Sequence, residues 1–151
     1  MNSPSLSKRM ESPYLREVSM AHLDHLEQAG LWLTAAKHIF ELPTETRNKY
    51  TVASALAIHA AIKANDALTT RFLGRVARRH EEAPALFLEL IKRNHIPAEE
   101  ARHRDILSEA ISRKSAANYY AEFFSKRDAD DLVKKIGEFI KMARRHCGAA
   151  L

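Results

Sequence analysis

Four glycines and five prolines are all the strong backbone breakers in this chain of 151 residues. Glycine and proline most often interrupt regular structure, so their scarcity calls for long unbroken elements. Apolar residues recur at steps of three and four, and helix formers such as Ala, Leu, Glu, Lys and Arg are abundant. No run alternates apolar with polar as a half-buried strand would. The expected fold class is all-α, an antiparallel four-helix bundle with one additional helix and short loops. Hydrophobic residues at 46% against 28% charged suffice for one core and exclude a disordered composition.

The first helix is predicted from about Tyr14 or Arg16 to Leu42, with Val18, Leu23, Leu26, Ala29, Leu33, Ala36 and Phe40 in its apolar stripe. Gly30 is a place where it could bend, and Pro43 ends it. The second runs from near Thr44 or Thr46 to Leu73. Its Ala53, Ala57, Ala60, Ala61 and Ala64 are small enough to let neighbours approach closely, so it is expected at the centre, with Gly74 as its left-handed C-terminal residue. A third helix is predicted from about Glu82 to Arg93, with Pro84 tolerated only in its first turn. A fourth opens at Pro97, and whether residues 113–124 continue it is open. Ser125 and Asp128 resemble a capping box for a fifth helix, from Lys126 to Cys147. One domain over 14–147 is expected, between a disordered tail at 1–13 and a frayed one at 148–151.

A formal charge of +5 fits an anionic partner such as nucleic acid, and equally a mild surface excess. No apolar run is long enough to span a bilayer, so no membrane association is expected. The opening MNSPSLSKRMESP lacks the apolar stretch of a signal peptide. Cys147 is the single cysteine, which excludes an intrachain disulfide. These features together favour the cytoplasm.

Eight histidines raise the question of a metal. His22 and His25 share a helix face but are too few for zinc, and read as solvated. Glu100 and His103 form one Glu-x-x-His unit; a di-iron bundle needs a second, which is absent from the sequence. No metal and no cofactor are expected. His59 reads as a core histidine, and His38, His95 and His146 offer no chemistry. Cys147 reads as incidental in a frayed tail, with Arg neighbours able to lower its pKa.

The stretch GRVARRHEEAP, residues 74–84, is different. Arg71, Arg75, Arg78 and Arg79 fall in a gap without acids between Asp66 and Glu81, and His80 sits where the third helix begins. The helix dipole with Arg78 and Arg79 would disfavour an imidazolium at His80, and Glu81 would favour it. A neutral imidazole beside guanidinium groups suits proton transfer next to a phosphate.

The run YTVASALAIHAAIKANDALTTRFLGRVARRHEEAPALFLELI resembles the HEPN family (higher eukaryote and prokaryote nucleotide-binding). The likeness lies in an Ala-rich second helix, a loop, and a histidine opening the next helix. Lys114 and Tyr119 follow in RKSAANYYAEFF, and a last amphipathic helix closes the chain; the likeness covers about residues 20–147. It implies a bundle that pairs as a homodimer and, in many members, a metal-independent endoribonuclease of toxin–antitoxin type. The family's arginine and histidine, separated by four to six residues, would be Arg75 and His80, which have four between them. On that resemblance Arg75 and His80 are catalytic, Arg71, Arg78 and Arg79 bind phosphate, and Lys114 and Tyr119 support the site. The partners would be RNA or nucleotide and an antitoxin protein. Val76 departs from the polar residue common after that arginine in the nucleases. The alternative is a noncatalytic nucleotide- or RNA-binding module acting as a dimeric scaffold.

Overall fold

Alanine decides which helix lies in the middle. In the computed structural model, which describes residues 13–119 and 123–148 with side chains at 20–114 and 123–148, Ala53, Ala57, Ala60, Ala61, Ala64 and Ala67 are all fully buried on one helix. Among the described residues there are five α-helices: α1 (Pro13–Phe40), α2 (Asn48–Leu73), α3 (Ala83–Lys92), α4 (His103–Tyr119) and α5 (Lys126–Cys147). Short 3-10 turns at His80–Glu82 and Ala98–Arg102 lead into α3 and α4. Among the described residues there is no strand, and no helix is long and apolar enough to cross a membrane. The Ala-rich α2 touches all four of the others, and its longest contact is with α1. Around it pack Leu33, Phe87, Leu107, Leu132, Ile136 and Phe139.

The helix ends follow local hydrogen bonding. α1 stops at Phe40 rather than Leu42, and the Lys49 ammonium donates to the carbonyls of Leu42 and Thr44, both at 2.9 Å. α2 starts at Asn48, later than Thr44 or Thr46, because the Thr46 hydroxyl takes the Asn48 N–H at 3.2 Å and turns the chain first. Gly74 closes α2 with φ at 69°. α1 runs unbroken through Gly30. A Cβ there would lie 2.7 Å from an Arg144 guanidinium nitrogen, so this glycine makes room for α5's arginine.

α4 continues through residues 113–119, and the chain is non-helical again at 123–125. There Phe124 is buried, and its N–H donates to the Thr51 hydroxyl at 3.1 Å. Arg113 lies over the Phe124 ring, 4.2 Å from its centre. The capping box of α5 is complete: Ser125 Oγ accepts from the Asp128 N–H at 3.0 Å, and Asp128 accepts from the Ser125 N–H at 3.2 Å. Of the expected tails at 1–13 and 148–151, residues 1–12 and 149–151 lie outside the described residues, as does the side chain of Tyr119, while Pro13 begins α1 and Gly148 caps α5.

Two residue readings are corrected. His22 is buried, not solvated, because it faces inward from α1. Cys147 is the last residue of α5 and is also buried; burial pushes its thiol up to about 11, outweighing the opposing pull of Arg71.

Candidate functional site

A polar stripe runs along the otherwise small-residue helix α2. His59, Lys63, Asp66 and Thr70 follow one another at steps of four, three and four, which keeps them on one face. All four are half-buried. From α1, the indole of Trp32 stacks on the His59 ring with centres 4.9 Å apart and planes at 23°.

His80 reaches this region from a short structured approach. Arg79 is extended (φ −121°, ψ 143°), and its carbonyl accepts the Glu82 N–H at 3.0 Å, closing the 3-10 turn that begins at His80. Buried Asn65 of α2 donates its Nδ2 to the Ala83 carbonyl at 3.3 Å. That bond fastens the turn to α2, three residues past His80 in sequence.

Burial is the main reason that the His80 imidazole titrates below its ordinary value. Lys114 from α4, His59 and Lys63 from α2 push the same way, and Glu81 opposes them. The charges that act on His80 are therefore these, and not the expected Arg78 and Arg79. His59 is lowered by burial, then by Lys114 and Lys63. His25, across from Lys63 on α1, is lowered by burial and Lys63 against Asp24, and its Nδ1 is buried without a partner. Burial raises the Asp66 carboxyl to about 6, against the pull of Lys63. Among the described residues, no side-chain hydrogen bond or ion pair engages His59, Lys63, His80 or Lys114.

The arginines go elsewhere. Arg75 donates to Glu89 of α3 at 3.1 Å, and Glu89 also holds Arg93 at 2.6 Å. With Arg78, Val76, Glu82, Ala85 and Leu86, Arg75 lines a cleft of about 370 Å³. Arg71 lies 5.1 Å from the Phe72 ring centre, on the side of α2 that faces Cys147. Arg79 is exposed just before the turn. No bond among the described residues joins Arg75 to His80. The sequence corner thus divides into an arginine-lined cleft against α3 and an imidazole facing α2 and α4. Lys114 is brought to the imidazole, and Tyr119 ends α4.

A second polar cluster ties α4's approach to α5. Glu100 accepts from Arg145 at 3.1 Å and lies 2.7 Å from His146 Nε2 and 3.5 Å from the buried His103. Bonds from His146 and Arg145 hold its carboxyl below the usual range although burial opposes them. His146 therefore has a structural role that its sequence position did not reveal. Among the described residues, no three His, Cys, Asp or Glu side chains are arranged to hold a metal ion.

His59, Lys63 and Trp32 were not singled out by sequence as site residues. The signal available was the polar 59–63–66–70 stripe in an alanine helix. No protein-family model matches the chain, and no curated protein matches it.

Proposed function

We propose that this chain is a HEPN-like protein acting on RNA, a metal-independent endoribonuclease of toxin–antitoxin type. In this reading α1, α2, α4 and α5 form the antiparallel four-helix bundle and α3 is the additional helix. The working unit is a homodimer in the cytoplasm, held in check by an antitoxin protein. The observation that carries the reading is a half-buried imidazole at the entry to α3, kept neutral beside Lys114 and Lys63.

A neutral His80 takes the proton of a ribose 2′-hydroxyl as its oxygen attacks phosphorus. Nearby cations stabilise the charge that grows on the phosphorane. The P–O5′ bond then breaks, leaving a 2′,3′-cyclic phosphate, and the departing 5′-oxygen takes a proton from the imidazolium or from water. Arg75 can turn to that phosphate at small cost. Its bridge to Glu89 is exposed on the arginine side, and such pairs contribute about 0–1 kcal/mol. Leu31 and Met20, exposed three turns apart on α1, leave apolar surface available for a second copy.

The Arg75–Glu89 pair also favours the second reading, a noncatalytic RNA- or nucleotide-binding module serving as a dimeric scaffold. Incubation with total RNA in the presence of a chelator separates the two. Wild type is expected to cut, and His80→Ala to cut at least about 100-fold more slowly with its affinity for RNA retained. RNA bound at low salt but left intact supports the scaffold and rejects the nuclease. RNA neither bound nor cut rejects both.

A further inference from the structure

We propose that His59, Lys63, His80 and Lys114 form a binding site for one phosphate group, the phosphodiester of RNA. The choice of RNA rests on the function proposed above; the anion site itself rests on how these four side chains are placed. They come from three elements, α2, the turn before α3, and α4; α4 packs against both α2 and that turn, and the Asn65 bond to the Ala83 carbonyl holds the end of the turn to α2. All four are half-buried, so water screens their mutual repulsion only in part.

Groups of this kind normally find carboxylates. Here none is hydrogen-bonded or ion-paired to any of the four among the described residues. Among the described residues, two carboxylates stand near. Glu81 adjoins His80 in the turn, and Asp66 faces Lys63 but is itself pushed toward its neutral form by burial. A bound phosphate would give each of the four a charge-assisted hydrogen bond. Arg75, by contrast, already has Glu89, and Arg71 lies against Phe72. The lysine and histidine seam thus offers phosphate binding without Arg75 having to leave Glu89.

A consequence is that binding takes up protons. His80 faces Lys114, His59, Lys63 and Glu81, and His59 faces Lys114 and Lys63 with Trp32 stacked on it. Lys63 is also shared with His25 from α1 and with Asp66. A phosphate set among these cations offsets their field and raises the proton affinity of both rings, while the larger effect of burial remains.

Trp32 is the chain's one tryptophan, and an imidazolium stacked on an indole quenches its fluorescence. The emission of the full-length protein is followed against pH, alone and with inorganic phosphate, adenosine 3′-monophosphate, a short single-stranded RNA, or the same sequence as DNA. The quenching midpoint is expected below the ordinary histidine value without ligand, and about one unit higher with each phosphate ligand. His59→Gln should remove the transition. Lys63→Met with Lys114→Met should abolish the upward shift, and the matched charge loss Lys134→Met with Lys141→Met, both exposed on α5, should keep it. Proton NMR of the His59 and His80 ring Cε1–H signals reads the same shifts without depending on fluorescence. An unmoved midpoint with all ligands overturns the site, as does a shift kept when Lys63 and Lys114 are both replaced. A response to inorganic phosphate alone overturns RNA as its source. If RNA produces the shift but is not cleaved, the site stands and the nuclease reading falls. Cleavage without any shift does the reverse.

Discussion

His80, Asp66 and Cys147 each sit where burial sets the charge, and each gives a separate test. Asp66 titrates near 6 in the fold against an ordinary 3.8. Its folded value is raised, so the stability it lends is present in acid and is lost as pH rises through about 6. Asp66→Asn should therefore raise stability near neutral pH by roughly 1–2 kcal/mol, below the ceiling of about 3 that a two-unit shift sets, and should change little in acid. Paired denaturation curves at the two pH values check this; equal gains at both would contradict it. Cys147, buried with its thiol raised to about 11, should react with thiol reagents only at the rate at which α5 opens. A burst of labelling in the native protein would contradict that. His80 was legible from its place before an acidic, proline-containing helix start. His59 and Lys63 were not, because what gives them meaning is Lys114, far along the chain, and a ring from α1.

Helix by helix, the sequence is readable where one residue controls one end. Gly74 takes the left-handed conformation it was expected to take, and Ser125 caps α5 with Asp128. Ser125→Ala should cost about 1 kcal/mol, seen as a lower denaturation midpoint with an unchanged slope. The less legible ends are those shaped by competing bonds, such as the Thr46 hydroxyl that delays α2 and the 3-10 turns that precede α3 and α4. The alanine face of α2 was legible because small side chains have one structural advantage, close approach. Ala61→Leu should overpack that fully buried position and destabilise by about 1–3 kcal/mol or more. Gly30→Ala differs in kind, since what it meets is the flexible end of Arg144. Its helix-propensity gain of up to about 1 kcal/mol should outweigh the displacement of that side chain.

For the molecule as a whole, His25, His59, His80 and His103 are all held neutral by burial. Their folded values lie below 6.5, so the unfolded chain binds protons first as pH falls. Stability is full above about that value and declines below it, which a thermal melt series from about pH 8 to about pH 5 should register. In the proposed dimer, sedimentation should give twice the 17.1 kDa chain mass; a monomer at working concentration would count against a shared site. The helical class was legible from breaker scarcity and periodicity. The lysine and histidine seam was not, because it exists only once α2, α4 and the turn at His80 are packed together.

The most direct measurement is the pH profile of RNA cleavage under chelation, from about pH 5 to about pH 9, for wild type and His80→Ala. The expected result, at RNA concentrations well below saturation so that the titration of the free protein is read, is wild-type cleavage that rises with pH through a midpoint below the ordinary histidine value, as His80 becomes the free base, and a variant at least about 100-fold slower throughout. Equal rates in the two proteins, or intact RNA at every pH in a sample that binds it, would contradict a neutral His80 acting as the base.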